Sequence, residues 1–377
     1  MRRCSVWLSC SLLALAVAAA PLVAQQLPSL RLSPANATHP HEFTSVTSLR
    51  ELADGRVLVT DGREQRLLLL DFGSGASRAV GRAGRGPREY SMVAAVHPLA
   101  GDSSIMADYF QRRWLLFHSD SIVGTTPPDH PAVQAIQAIF THADQRVVAR
   151  RVDPPLQDGV TFQTARDSGA LVLVDRTSGR ADTIAKLRLT PSRRTQQTNA
   201  EGRVIASSTF PTQRPSSEES FALLPDGAVA IARLDPFRVD WRLPNGRWVR
   251  GDSLPVPKLR FDARERRAFE ARIAGPQAAL PPGFPTPPAA DFPEFVPPFP
   301  VGLQAVIAGP RGLLLIQRNK SADNPGMTYL VIDRSSRIVG TFTLSNREQV
   351  VGASDNALYI TERDEDDILR LRRHPWR

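Results

Sequence analysis

Two stretches, Asp61-Gly62-Arg63-Glu64-Gln65-Arg66-Leu67-Leu68-Leu69-Leu70 and Asp108-Tyr109-Phe110-Gln111-Arg112-Arg113-Trp114-Leu115-Leu116-Phe117, share one layout. In each, an Asp is followed five residues on by an Arg and then by four apolar residues. Each Asp also closes a short β-rich run, 57–60 or 105–107. The two aspartates stand 47 residues apart, within the period of a propeller blade. An internal repeat of that length predicts an all-β propeller, because one blade cannot bury its own apolar face and must stack on the next.

Reading outward from this pair predicts four-stranded blades. The first has strands near 44–52, 56–60, 66–71 and 76–81, with Asp54-Gly55 as its first hairpin turn. The second runs near 92–99, 103–107, 113–118 and 120–124. The third runs near 132–142, 146–151, 171–175 and 181–187. The fourth lies near 221–225, 228–233, 237–242 and 247–250, turned by Pro225-Asp226-Gly227 and Pro244-Asn245-Gly246. The fifth lies near 303–308, 312–317, 327–333 and 337–343.

The sixth has only three strands, near 347–353, 357–361 and 367–372, before the chain ends. An exposed third strand would leave an open sheet edge. The alternating segment Leu27-Pro28-Ser29-Leu30-Arg31-Leu32-Ser33 is expected to fill it and close the ring. The expected architecture is therefore a six-bladed propeller spanning 25–377, with its N-terminal strand closing the last blade. The count of six treats 189–219 and 252–300 as insertions; otherwise seven blades or an open ring is the better reading. The first insertion is polar, with room for a hairpin around Val204-Ile205-Ala206. The second reads as a short helix over 261–273, followed by ten prolines and four phenylalanines within 276–300. Such proline density favours extended backbone over helix or ladder pairing. That stretch is either a cover packing its Phe side chains on the propeller or a functional loop.

Residues 1–24 read as a signal peptide: Arg2 and Arg3, then an apolar run through Leu12, Leu13, Leu15 and Val17, then small residues up to Ala24. The alternative is an uncleaved anchor, for which the run is rather short. The implied destination is periplasmic or secreted. Cys4 and Cys10 both lie in this segment, so a mature chain beginning at residue 25 contains no cysteine and no disulfide. The formal charge of +9 becomes +7 without Arg2 and Arg3. Its arginines are dispersed, which argues against a nucleic-acid partner. The expected partners are a protein, peptide or carbohydrate, and the expected state is a monomer.

The stretch Gly81-Arg82-Ala83-Gly84-Arg85-Gly86-Pro87-Arg88-Glu89-Tyr90 follows Asp54-Gly55-Arg56-Val57-Leu58-Val59-Thr60-Asp61. Together they resemble an exported bacterial six-bladed β-propeller family related to NHL-repeat propellers. Pro236-Phe237-Arg238-Val239-Asp240-Trp241 and the closing 364–372 resemble that group too. Arg88 and Tyr90 depart from the family's usual Gly and Phe. The resemblance implies a fold and leaves function open.

Candidate chemistry is sparse. The loop 81–86 lacks the Lys-Ser/Thr of a P-loop and opens no helix, so it reads as a turn between blades, although Arg82 and Arg85 are anion-binding candidates. His39 and His41 would share one strand face, but third and fourth metal ligands are missing. No Gly-x-Ser-x-Gly elbow or EF-hand loop is present. Asp61 and Asp108 have two readings: ligands at the channel, or acceptors for their own blade's backbone or for Arg66 and Arg113. No catalytic residue and no cofactor is assigned, and calcium is the one cation left open. The leading expectation is an exported, non-enzymatic binding or scaffold propeller. Its rivals are a metal-dependent hydrolase or lyase of the lactonase type and an extracytoplasmic carbohydrate or peptide sensor.

Overall fold

The computed structural model describes residues 27–108, 110–126, 140–143, 146–152, 168–175, 177–198, 201–274, 290–302 and 304–377. The stretch read as a signal peptide lies outside the described residues. Four-stranded antiparallel sheets follow one another along the chain. The first comprises Ser48–Glu51, Val57–Asp61, Arg66–Leu70 and Ser77–Ala79. The second comprises Val96–Pro98, Ser103–Asp108, Arg113–His118 and Ser121–Thr125. The third comprises Phe140–Ala143, Arg146–Val152, Ser168–Asp175 and Ala181–Arg188. The fourth comprises Ser220–Leu223, Val229–Leu234, Phe237–Arg242 and Trp248–Val249. The fifth comprises Val306–Ala308, Leu314–Gln317, Met327–Ile332 and Ile338–Leu344. The last joins Glu348–Ala353, Ala357–Arg363 and Leu369–Pro375 to the short N-terminal strand Ala37–Thr38. Five of these sheets are described with their side chains throughout, while the third is so described only in its outer two strands.

In the first, second, fourth, fifth and last sheets the second strand is the most buried, because it is covered on both faces. Alternate residues face opposite ways, so each such strand feeds two apolar clusters. Leu58 packs with Met106 and Leu115 of the second sheet, whereas Val57 and Val59 pack with Val351, Tyr359 and Leu371 of the last. The same division recurs along the chain: Ile105 with Val172, Leu171 with Ile231, Ala230 with Leu314, and Leu315 with Leu358. Every cluster thus spans two neighbouring sheets. With each fully buried aliphatic side chain contributing about 1.5–3 kcal/mol, these seams hold the propeller together.

The closing strand differs from its expected place. Ala37 and Thr38 pair with Arg373 and Arg372, and the N–H groups of His39 and Phe43 donate to Leu371 and Leu369. Of residues 27–33, expected at this edge, 28–30 instead bond to the fifth sheet, while Ser33 bonds to the last sheet through His374. Leu30 donates to the carbonyl of Thr341, Thr341 donates to Pro28, and Leu30 and Leu32 pack against the cluster between the fifth and last sheets. Gly340 makes room for Leu30, whose Cδ1 lies 2.2 Å from where a Cβ would stand.

The first insertion holds the expected hairpin, Ser192–Thr198 with Val204–Pro211. In the second, the helix Ala263–Ile273 is capped by Asp262, whose carboxylate accepts the N–H groups of Arg264 and Glu265. The proline-rich stretch does make isolated ladder bonds, contrary to expectation. Asp291 pairs with Gln213, and Phe295 pairs with Arg260. The residues that donate there, Asp291 and Val296, are not prolines and keep their N–H groups. Phe299 is fully buried between the fourth and fifth sheets, and Phe292 stacks on Phe261 at 5.4 Å. Phe284 lies outside the described residues. Among the described residues, no helix is long and apolar enough to cross a membrane.

Candidate functional site

The turns between second and third strands lie at the same end of the ring as the segments that lead into the first strands. Asp61 demonstrates this directly. Its Oδ2 accepts the N–H groups of Thr44 (2.9 Å) and Ser45 (3.2 Å), just before the first strand. Its Oδ1 accepts the N–H groups of Arg63 (3.0 Å) and Glu64 (3.1 Å) and the Ser45 hydroxyl (3.0 Å). Burial alone would raise this carboxyl's pKa, but the donors from Glu64, Thr44 and Ser45 outweigh it and hold it below the ordinary value. Arg66, the alternative partner suggested by the repeat, pairs with Glu64 at 3.2 Å instead.

Asp108 occupies the same place one blade on. It accepts the N–H of Ser91 (3.1 Å), the Ser91 hydroxyl, Gln111 Nε2 (3.1 Å) and Arg113 Nε (3.4 Å). Arg113 also donates to the carbonyls of Gly86 (2.9 Å) and Glu89 (2.6 Å), fastening the glycine-rich loop. Both aspartates therefore spend their lone pairs on their own blades.

The loop 81–90 wraps around one side chain, Glu89. Its Oε2 accepts the Gly86 N–H at 2.8 Å, and its Oε1 meets Arg82 at 2.7 Å. A Cβ on Gly84, where φ is +157°, would lie 2.1 Å from the Glu89 carboxylate oxygen, so the spacing of glycines serves this carboxylate. Arg82–Ala83 runs parallel to Glu89–Tyr90 as a two-residue ladder. Beside it an open cavity of about 730 Å³ is lined, among the described residues, by Gly84, Arg85, Ser91, Phe110 and Gln111. Phe110 is 77% exposed there. The sequence candidates thus separate: Arg85 lines a cavity, Asp108 lies one hydrogen bond beneath it, Arg82 is ion-paired, and Asp61 belongs to the neighbouring blade.

Sequence reading missed the rest of this end of the ring. Gln304 donates to the carbonyls of Val46 (3.4 Å) and Thr47 (3.3 Å) and accepts from Gln349 (2.7 Å), linking the fifth, first and last sheets. The insertion helix is clamped on the second-to-third turn of the fifth sheet. Buried Glu265 accepts the Ala322 N–H at 3.0 Å, Arg264 donates to Asp323 at 3.1 Å, and Arg272 donates to the Lys320 carbonyl at 3.3 Å. The helix is therefore a raised rim on this face. In the fourth sheet Arg233 bridges Glu219 (2.7 Å) and Asp240 (2.9 Å), and Arg238 reaches Asp240 at 2.9 Å.

His39 and His41 lie elsewhere, on the closing strand. His39 Nε2 donates to the Ala76 carbonyl at 3.1 Å, and its Nδ1 accepts the His41 N–H at 3.1 Å. Both ring nitrogens are thereby used, Nε2 tying this segment to the first sheet and Nδ1 shaping the segment itself. Among the described residues, no three His, Cys, Asp or Glu side chains gather where they would hold a metal ion.

No protein-family model matches the chain, and no curated protein matches it. Solved structures similar to it include a Bacteroides fragilis protein described as exported, with 12% identity, TM-score 0.46, and coverage of 93% of this chain and 95% of that one. A member of the DUF4221 family from Bacteroides vulgatus shows 10% identity, TM-score 0.45, and coverage of 93% and 97%. A calcium-binding protein, regucalcin, from Agrobacterium tumefaciens shows 11% identity, TM-score 0.38, and coverage of 92% and 97%.

Proposed function

We propose that this chain is an exported, non-enzymatic binding propeller of six blades. The mature protein runs from residue 25, with 189–219 and 252–300 as insertions. Its ligand lies on the face where the second-to-third turns gather. The observation that carries the reading is the insertion helix, held by Glu265, Arg264 and Arg272 as a rim over that face. Long insertions held rigidly beside repeated loops are the usual place for recognition. The count of six is supported by the four-stranded sheets and by apolar clusters that pair each sheet with the next and the last with the first. Export is supported by the leader-like residues 1–24. In this reading Arg85 faces the ligand, while Asp61, Asp108 and Arg82 stiffen the loops around it.

The test is a binding screen of oligosaccharides and peptides by isothermal titration against the mature chain. A companion variant has 259–296 replaced by a short Gly/Ser linker. A ligand bound by the mature chain and lost from the variant supports the reading. A ligand chemically converted during the titration, or stoichiometric calcium found by elemental analysis together with turnover, overturns it in favour of the lactonase-type reading.

A further inference from the structure

Side-chain alternation along the second strands picks out one position per blade. It is the last residue facing the preceding sheet before the chain turns. In the first, second, fourth, fifth and last sheets that residue is Asp61, Asp108, Arg233, Arg318 and Glu362. All five are charged, and all are buried or half-buried. A charge held there needs a partner, because leaving it unpaired and desolvated is costly. Asp61 and Asp108 have the donors described above. Arg233 has Glu219 and Asp240, and Glu362 has Arg372 at 2.7 Å.

Arg318 is the exception. Its backbone N–H continues the ladder to Thr328, but its Nε is buried without a hydrogen-bond partner, and among the described residues no carboxylate bridges to its guanidinium. The nearby carboxylates are engaged elsewhere: Asp323 of the following turn with Arg264, and the helix's Glu265 with the Ala322 N–H. The surroundings are cationic as well. Lys320 lies two residues on, and the helix's Arg272 donates to its carbonyl. Asn319, between them, donates to Pro297 at 2.8 Å and pins the proline-rich stretch beside this turn.

From this geometry we infer that Arg318 is the anchor of an oxyanion-binding site on the ligand face, taking a carboxylate or phosphate group of the bound ligand. A planar guanidinium is suited to a two-point contact with such a group. Burial alone depresses the Arg318 guanidinium below its ordinary pKa, as expected of a cation with no counter-charge beside it. Lys320 is depressed by burial and then by the charge of Arg272. An anion beside them would favour the charged form of both. This inference rests on the binding-propeller reading and names the chemistry its ligand carries.

The test is titration calorimetry and thermal melting of the mature chain with glutarate in one arm and inorganic phosphate in the other, at ionic strength fixed by sodium chloride. The expected result is saturable binding in at least one arm, weakened at least tenfold in Arg318→Met and at least threefold in Arg318→Lys. The arm that binds identifies the source of the oxyanion. Without anion, Arg318→Met is expected to melt no lower than wild type, since it removes an unpaired charge; a merely structural arginine would lower it. Affinity unchanged in Arg318→Lys overturns the inference even if the Met variant fails to fold. No saturable effect in either arm also overturns it. Neutral ligands bound by the mature chain while neither anion binds would leave the binding reading standing and remove only the oxyanion site.

Discussion

At the scale of single residues, the repeated aspartates act as struts. Asp61 satisfies four backbone N–H groups on two separate segments, so it joins the turn after the second strand to the approach of the first. Asp61→Asn keeps the size but turns one acceptor into a donor facing those N–H groups. A loss of about 1–3 kcal/mol at pH 7 is expected, the range for orphaning a buried donor, measured by urea unfolding. The folded carboxyl lies below its unfolded value of 3.8. Its contribution is therefore present above that value and lost as pH falls through the folded one. The gap between Asp61→Asn and wild type should narrow in melts taken below pH 3.8. His39 has the same direction of shift in a different window. Burial first, then the charge of His41, lowers it from 6.5. The neutral ring is favoured in the fold, so stability holds above 6.5 and declines as pH falls from there through the folded value. His39→Gln, which keeps a donor for Ala76, should flatten the dependence of melting temperature on pH between pH 7 and pH 5; an unchanged slope would assign it to other groups.

At the scale of elements, the two N-terminal segments have separable jobs. Phe43, 5% exposed, lies in the seam between the last and first sheets and donates its N–H to Leu369. Leu30 covers an outer edge of the fifth sheet beside Gly340. Phe43→Ala should cost about 3–5 kcal/mol, as for other buried aromatic truncations, and Leu30→Ala distinctly less. Equal losses in denaturant titrations would restore the expectation that 27–33 closes the ring. The reason the sequence misleads here is physical. Leu27, Leu30 and Leu32 give a visible apolar pattern, whereas Ala37 and Thr38 form a two-residue ladder with little side-chain signal and a partner over 330 residues away. The hairpins were legible because Asp54-Gly55, Pro225-Asp226-Gly227 and Pro244-Asn245-Gly246 act locally; Gly55, Gly227 and Gly246 all have positive φ. The helix was legible from its polar–apolar pattern, but its docking by Glu265 was not. The importance of Arg318 was hidden for a related reason. Asp61 and Asp108 share residue type and a matching Arg five residues on; Arg233 keeps that spacing to Arg238 without the Asp, and the turns after Arg318 and Glu362 are longer, so register alone relates all five.

At the scale of the whole molecule, the question is whether the seams make one cooperative unit. Each seam is shared by two sheets, and the last seam joins the two ends of the chain. Weakening one seam should therefore lower the stability of all. Leu58, in the seam between the first and second sheets, and Leu330, between the fourth and fifth, are both fully buried and far apart in the chain. Leu58→Ala and Leu330→Ala should each cost about 2–5 kcal/mol, the range for buried Leu truncations with an unfilled cavity. Two convenient reporters are buried Trp114 and Trp241, in the second and fourth sheets. Urea unfolding should show tryptophan fluorescence and far-ultraviolet circular dichroism moving together in a single transition, displaced to lower urea by either substitution. If Leu58→Ala shifts only part of the signal, the ring consists of independently melting segments. A single transition displaced by both variants means that each blade is stable only through its neighbours, which is also why a closing strand of two residues has so large a task.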